Sequence, residues 1–227
     1  MNIFNIAIDG PAGAGKSTIA KILAKKLNFI YVDTGAMYRA MALYFLRNNI
    51  DASDSGRIEA ACKEVDITLE YRDGEQVVLL NGERVNEYIR TEEVGNMASA
   101  SSVNKAVRLK LVELQQSLAK KESVVMDGRD IGTYVLPQAD LKIYLTAGTR
   151  ERARRRWAEL REKGQSADMD VIEQDIIDRD HRDMTREFAP LRQAEDAVFL
   201  DSSHMSIDEV VEYILELYRS SCNRKEG

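Results

Sequence analysis

The segment IAIDGPAGAGKSTIAKILAKKL, residues 6–27, constrains the fold of this chain more than any other. Gly10 and Gly15 are separated by four residues, and Lys16 and Ser17 follow directly. A short apolar run precedes this glycine-rich loop, and apolar residues recur at helical spacing after it. The pattern therefore predicts a buried strand, a tight loop and a helix in direct succession.

Loops of this composition bind phosphate groups, because glycines permit positive φ angles and let backbone N–H groups point inward at the start of a helix. We expect Lys16 to reach the β- and γ-phosphates of ATP, and Ser17 to offer its hydroxyl to Mg²⁺. A glycine-rich turn without a ligand is the competing interpretation. The predicted ATP-binding residues are Gly10, Pro11, Ala12, Gly13, Ala14, Gly15, Lys16, Ser17 and Thr18.

A second candidate metal ligand ends another apolar run, SVVMD, at Asp127. Beside a phosphate loop, a carboxylate at the carboxyl end of a strand contacts Mg²⁺ directly or through water. Taken alone, Asp127 could instead cap the next turn. Together with the loop, the pattern predicts that Ser17 and Asp127 hold Mg²⁺.

Strand-like and helix-like segments alternate along most of the chain, which predicts an α/β fold with a parallel sheet covered by helices. Ser206 and Glu209 form a capping box at the start of the last helix. The strand candidates are Ile3–Ile8 and residues 29–32, 123–127, 141–145 and 197–201. Helical patterns cover residues 16–27, 36–48, 104–121, 149–163, 169–187 and 206–220.

The pattern changes near Val65, where VDITLEYRDGEQVVLLNGERV alternates with period two. Asp73-Gly74 and Asn81-Gly82 are strong hairpin signals within this segment. We therefore expect a small antiparallel β insertion at about residues 65–90.

The composition limits the possible partners. The 227 residues carry 32 lysines and arginines against 38 aspartates and glutamates, so the formal net charge of −6 makes nucleic acid an unexpected partner. The two cysteines are far apart, and no basic segment followed by a long apolar run begins the chain. We expect one domain, residues 1–227, that is a cytoplasmic monomer with no membrane partner.

Three classes of phosphate-loop protein remain open: a GTPase switch, a motor or regulatory ATPase, and a small-molecule kinase. A GTPase would carry Asn-Lys-x-Asp after a strand, and the nearest match, NKAV at 104–107, lacks the aspartate and lies in a helical pattern. Two arginine-rich segments indicate instead a second phosphorylated substrate.

The first of these segments is RERARRRWAELREK, residues 150–163. Its arginines surround a helix, and Arg152 and Arg156 share one face because they are four residues apart. One interpretation is a solvated, charged helix. The other is a helical lid, residues 150–164, whose arginines close over the phosphoryl group during transfer.

The second segment is RDHRDMTR, residues 179–186. Arg179, Asp183 and Arg186 lie on one helical stripe. Such a stripe is either part of a binding site or a surface ladder of ion pairs, each contributing about 0.3–0.5 kcal/mol. The spacing alone does not decide between the two.

Five segments together resemble the bacterial cytidylate kinase family: DGPAGAGKST, YVDTGAMYRA, VMDGRDIGT, RDHRDMTR and APLRQAEDA. The resemblance extends over nearly the whole chain. It implies a nucleoside monophosphate kinase fold, in which a parallel core sheet carries the helical lid. It also implies a monophosphate-binding region, residues 34–100, that includes the β insertion.

The resemblance also implies roles for individual residues. Lys16, Arg129, Arg152, Arg156 and Arg186 would act in catalysis, with Arg152 and Arg156 approaching ATP from the lid. The CMP phosphate would contact Thr34, Arg39, Arg129 and Arg186, and the ribose hydroxyls would contact Arg179 and Asp183. The cytosine would face Ser99, Arg108 and Asp130. Ser101 and Ser102 are alternatives to Ser99.

The implied reaction is ATP-dependent phosphorylation of CMP and dCMP to CDP and dCDP, with ADP as the other product. Cytosine presents an amino donor beside two acceptors, which suits the carboxylate of Asp130 and the guanidinium of Arg108. Uracil reverses two of these groups, and each buried polar group left unpaired costs about 1–3 kcal/mol. A kinase for another small acceptor such as UMP, and a regulatory nucleotide-binding ATPase, are the alternatives.

Overall fold

A computed structural model describes residues 3–72, 75–162 and 164–225 of the chain. The strands are β1 (Asn5–Asp9), β2 (Ile30–Asp33), β3 (Ile67–Arg72), β4 (Glu75–Leu80), β5 (Glu83–Arg84), β6 (Val124–Gly128), β7 (Leu141–Thr146) and β8 (Val198–Asp201). The helices are α1 (Lys16–Leu27), α2 (Thr34–Arg47), α3 (Ser55–Glu64), α4 (Glu92–Ser101), α5 (Lys105–Ala119), α6 (Thr149–Glu162), α7 (Met169–Thr185) and α8 (Ile207–Lys225), with a π-helical turn at Ile131–Val135.

The main sheet has five parallel strands in the order β2-β6-β1-β7-β8. Its central strands are apolar runs because helices cover both faces, and Ile6, Ile8 and Val125 are fully buried. Because all five strands run in one direction, their carboxyl ends share one edge. The register pairs Asp33 of β2 with Asp127 of β6 at that edge. The predicted α/β fold with a helix-covered parallel sheet is confirmed.

The insertion forms a second sheet, β3-β4-β5, with antiparallel pairing. Asn81 and Gly82 connect β4 to β5 with φ angles of 50° and 81°, the positive values that a two-residue hairpin turn of this type requires. The second hairpin signal, Asp73-Gly74, lies outside the described residues. Val78 and Leu80 belong to the same apolar cluster as residues of α2, so the small sheet shares a core with that helix.

Two short helices, α3 and α4, were not predicted from apolar periodicity. Each has a side-chain N-cap: Asp54 accepts a hydrogen bond from the N–H of Arg57, and Thr91 accepts one from the N–H of Val94. These caps are the sequence signal that could have located both helices. The capping box at Ser206 is confirmed, since the Glu209 carboxylate accepts from the Ser206 N–H at 2.8 Å. In the described part of the chain, no helix is both long enough and apolar enough to span a membrane.

The loop between β1 and α1 passes very close to β7. Gly10 has a φ of 149°, and a Cβ added to it would lie 1.9 Å from the carbonyl oxygen of Leu145. No L side chain fits such a position without moving one of the two strands. Glycine at position 10 is therefore required for the loop to leave the sheet at this point.

Replacement of Gly10 by alanine is expected to destabilise the fold by roughly 3–5 kcal/mol, because the new methyl group collides with rigid backbone. Gly95 is the matched control: it lies in α4 with nothing within 4 Å of an added Cβ, so Gly95→Ala should be neutral or slightly stabilising. Urea denaturation followed by circular dichroism measures both changes. Wild-type stability for Gly10→Ala would show that β7 does not restrict this loop.

Candidate active site

One cleft of about 910 Å³ lies at the carboxyl edge of the main sheet. It is lined by the glycine-rich loop, the first turn of α2, α4, the segment after β6, α6, α7 and the loop after β8. The lining begins at Ala12, so Gly10 and Pro11 precede the part of the loop that faces the cleft. The chain thus places its loop and both arginine-rich segments around a single space.

The glycine-rich loop adopts the left-handed conformations that its composition predicts, with φ of 74° at Gly13 and 85° at Gly15. Lys16 is buried at the start of α1, and its Nζ donates to the carbonyl oxygen of Pro11 at 2.7 Å. Burial, together with the positive charge of Arg129, lowers the pKa of Lys16 well below its usual value. An anion bound in the loop would oppose this shift, because its negative charge favours the protonated lysine.

Oxygen ligands converge beside Lys16. The Ser17 hydroxyl donates to Asp127 Oδ2 at 2.8 Å, and the Tyr31 hydroxyl donates to Asp127 Oδ1 at 3.0 Å. Burial raises the pKa of Asp127, and the neighbouring Asp33 carboxylate raises it further. Hydroxyl and carboxylate oxygens next to a phosphate loop are the donor set that Mg²⁺ prefers, so Ser17 and Asp127 fit this ion.

Arginines form the opposite wall of the cleft. The Arg129 Nε donates to Asp183 Oδ2 at 2.8 Å, and burial, together with the positive charge of Arg129, lowers the pKa of Arg179 to about 10. The Nε of Arg179 is buried without a hydrogen-bond partner among the described residues. Arg39 and Arg186 complete the wall. Burial also lowers the pKa of Arg39 and Arg186, whereas for Arg129 the effect of burial is outweighed by Asp183, which raises the pKa. Three cations with lowered pKa in one cleft indicate a site for an anion.

Asp130 and Arg108 also line the cleft. The two side chains form a buried ion pair, and Arg186 Nη2 donates to the other carboxylate oxygen of Asp130 at 3.4 Å. The ring of Tyr38 lies 5.5 Å below the Arg108 guanidinium. These groups provide a carboxylate acceptor and guanidinium donors side by side in a low-dielectric pocket.

The serines near this pocket differ in position. Ser99 and Ser102 line the cleft, whereas Ser101 is buried and its hydroxyl donates to the carbonyl oxygen of Met97 at 2.8 Å. The Ser102 hydroxyl donates to the carbonyl oxygen of Ser99 at 2.9 Å. Both alternatives to Ser99 are therefore hydrogen-bonded within their own helix. The predicted Thr34 also lines the cleft, and its hydroxyl donates to the carbonyl oxygen of Asp127 at 2.7 Å.

Residues 6–220 match the cytidylate kinase family. The chain belongs to this family. It is 54% identical over 218 residues to the cytidylate kinase of Caldicellulosiruptor bescii, with 96% of each chain covered, and 55% identical to that of Caldicellulosiruptor saccharolyticus with the same coverage. Identity to the cytidylate kinase of Bacillus velezensis is 48% over 213 residues, covering 94% of this chain and 95% of that protein.

A solved structure supports the fold alone. An uncharacterised protein from Eubacterium ventriosum has a TM-score of 0.55 to this chain at 12% identity, covering 96% of this chain and 99% of that one. At this identity the likeness extends to the arrangement of strands and helices and not to the site. The assignment to the cytidylate kinase family therefore depends on the sequence relatives.

Helix α6 separates two arginines that the helical spacing predicted on one face. Arg156 lines the cleft beside Arg154 and Arg155, but Arg152 does not. Arg152 is buried, and its Nη1 donates to Asp180 Oδ2 at 2.6 Å and to the Ala12 carbonyl oxygen at 2.8 Å. Helical spacing predicted that Arg152 and Arg156 share a face. The ion pair with Asp180 of α7 instead holds the Arg152 side chain in contact with the phosphate loop.

Three carboxyl or hydroxyl groups that shape this cleft were not predicted. Tyr31 holds Asp127, and Asp180 accepts from the Ala12 N–H at 3.1 Å. Asp9 accepts at 2.7 Å from the N–H groups of Ile131 and Gly132, which fixes the turn after Asp130. Burial raises the pKa of Asp9 to about 7, although those two N–H groups oppose the shift. Of these three residues, Asp9 is the one that a sequence pattern could have identified, because it ends an apolar strand.

Arg152 and Arg156 are expected to respond differently to replacement by methionine. Arg152→Met leaves the buried Asp180 carboxylate without its ion pair and should cost about 3–5 kcal/mol of folding free energy. The half-exposed Arg156 pairs with Glu159 on the surface, so Arg156→Met should change stability by less than about 0.5 kcal/mol and should lower kcat. Urea denaturation and single-turnover kinetics separate the two effects. Unchanged stability in Arg152→Met would contradict the supporting role.

Proposed function

We propose that this chain transfers the γ-phosphoryl group of ATP to CMP and dCMP, yielding CDP or dCDP and ADP. The observation that carries the proposal is the buried Arg108–Asp130 pair, which faces the same cleft as the phosphate loop. A phosphate loop alone is compatible with many reactions. The pair adds a pocket with the hydrogen-bonding pattern of cytosine, and family membership agrees with that acceptor.

The donor nucleotide occupies the loop side of the cleft. Lys16 would exchange the Pro11 carbonyl oxygen for phosphate oxygens, while backbone N–H groups of residues 12–18 surround the β-phosphate. Mg²⁺, held by Ser17 and Asp127, would neutralise the charge of the β- and γ-phosphates. The adenine lies beside the loop after β8, where Arg155 Nη2 donates to the Ser202 carbonyl oxygen at 2.7 Å.

The acceptor occupies the arginine side. Arg39, Arg129 and Arg186 bind its phosphate, Thr34 helps to seat it, and Arg179 and Asp183 bind the ribose. The attacking atom is an already ionised phosphate oxygen, so the reaction needs alignment and charge balance more than a general base. His181 is exposed, and we assign it no part in the chemistry.

Base selection depends on the part of the cleft lined by Asp130 and Arg108. The Asp130 carboxylate accepts from the cytosine amino group, Arg108 donates to its ring acceptors, and Ser99 lies alongside. UMP would place a carbonyl oxygen against the carboxylate and an N–H against a guanidinium. The enzyme should therefore prefer CMP and dCMP to UMP.

Closure completes the site. Arg154, Arg155 and Arg156 stand on the lid helix at the mouth of the cleft, where they would move over the γ-phosphoryl group and exclude water. We also propose that the chain acts as a cytoplasmic monomer on free nucleotides. Its net charge of −6 and its two unpaired cysteines support this setting.

Asp130→Asn is expected to reduce the ratio of kcat/KM for CMP over UMP by about 10- to 100-fold, because an amide can donate to the uracil carbonyl as well as accept. ADP release in the presence of CMP, dCMP, UMP or no acceptor measures the ratio in wild type and variant. Equal rates with UMP and CMP in the wild type would identify a different acceptor. ADP release without any acceptor would support a regulatory ATPase.

Lys16→Ala is expected to lower kcat by at least about 10³-fold, since the charge on the transferring group loses its nearest counter-ion. Its folding free energy should change little because the side chain contacts the cleft rather than the core. Lys25→Ala, on the exposed face of the same helix, is the matched control and should retain full activity. Near-normal CMP phosphorylation by Lys16→Ala would contradict the assignment of the loop.

A further inference from the structure

The β insertion contacts Asp33, a cleft residue that ends β2 immediately before the substrate-side helix α2. Gln76 of β4 makes two hydrogen bonds with the Asp33 backbone: its Oε1 accepts from the Asp33 N–H at 2.9 Å, and its Nε2 donates to the Asp33 carbonyl oxygen at 3.3 Å. Arg90, beyond β5, donates from Nη2 to Asp33 Oδ2 at 2.7 Å. The insertion therefore holds both the backbone and the charge of Asp33.

The Asp33 side chain is only 9% exposed, so its carboxylate needs compensation. Its other oxygen, Oδ1, accepts from the N–H of Ala36 and caps α2. Arg90 supplies the positive charge from a side chain that is 55% exposed. Without Arg90, the N-cap hydrogen bond would remain, but the buried negative charge would have no cationic partner from the insertion.

A second cation lies close to the same carboxylate. A Cβ added to Gly35 would lie 3.2 Å from Asp33 Oδ1 and 3.3 Å from Arg39 Nη1, so these two atoms flank one small space. Arg39 lines the cleft and, among the described residues, forms no ion pair with a carboxylate. Burial lowers the pKa of Arg39. The negative charge of Asp33 opposes this shift, whereas the positive charge of Arg90 adds to it. The charges of Arg39, Asp33 and Arg90 are thus directly coupled.

We infer that Arg90 is a positioning residue that neutralises Asp33 and so leaves Arg39 free to bind the phosphate of the acceptor nucleotide. The inference rests on the proposed function, in which Arg39 contacts that phosphate. If Arg90 is lost, the unpaired Asp33 carboxylate attracts Arg39 and competes with the acceptor for its guanidinium. The insertion then contributes to acceptor affinity without touching the acceptor.

The first test replaces Arg90 by methionine. KM for CMP should rise about tenfold, a typical size for coupling within one charge network, while KM for ATP and kcat at saturating CMP stay within about twofold. Arg90→Lys should recover most of the affinity because it restores the charge. Arg84→Met, an exposed arginine of the same small sheet, is the matched control and should behave as wild type. An unchanged KM for CMP in Arg90→Met overturns the inference.

The second test combines Arg90→Met with Asp33→Asn. Asparagine still caps α2 but carries no charge to attract Arg39, so the double variant should bind CMP better than Arg90→Met alone. If Arg90 only stabilises the fold of the insertion, removing both Arg90 and the Asp33 charge cannot restore the affinity for CMP. A KM for CMP in the double variant that equals or exceeds that of Arg90→Met therefore refutes the inference. Wild-type ADP release with CMP is measured first, because its absence would refute the proposed function instead. Thermal denaturation of each variant establishes that the fold is retained.

Discussion

The pairing of buried arginines with buried aspartates is the interaction on which the rest of this structure depends. A cleft for two polyanions must collect many cations, and in the folded protein these repel one another while each also loses water. In this chain aspartates contact the buried arginines: Asp180 pairs with Arg152, Asp183 with Arg129 and Asp130 with Arg108. The pairs fix the arginine side chains in position before any nucleotide arrives.

The parallel sheet places these aspartates. Since β1, β2 and β6 run in the same direction and in register, Asp9, Asp33 and Asp127 end neighbouring strands at one edge. Each then has a different partner: Asp9 fixes the backbone after β6, Asp33 caps α2, and Asp127 contacts Ser17. The common direction of the strands therefore determines where the glycine-rich loop, the proposed metal ligands and α2 meet.

Local sequence patterns predicted the parts of the fold that depend on local physics. Apolar runs located the strands of the main sheet, the glycine spacing located the phosphate loop, and Asn81-Gly82 located a hairpin turn. The orientation of individual arginines could not be predicted in this way. Arg152 turns towards Asp180, which lies on another helix, and Tyr31 reaches a carboxylate on a neighbouring strand. Such pairings are set by tertiary contacts that helical or strand periodicity does not encode.

The sharing of partners has a consequence for how this cleft recognises its acceptor. Asp130 contacts Arg108 on one side and Arg186 on the other, and Arg186 Nη1 also lies 3.6 Å from Asp183 Oδ1. The residues assigned to the base, the phosphate and the ribose therefore belong to one continuous charge network. Neighbours in such a network are not energetically independent. In the proposed binding mode, a base that fails to pair with Asp130 would therefore also disturb Arg186, the arginine that we assign to the phosphate. Discrimination between cytosine and uracil is then expressed at the reacting phosphate as well as at the base.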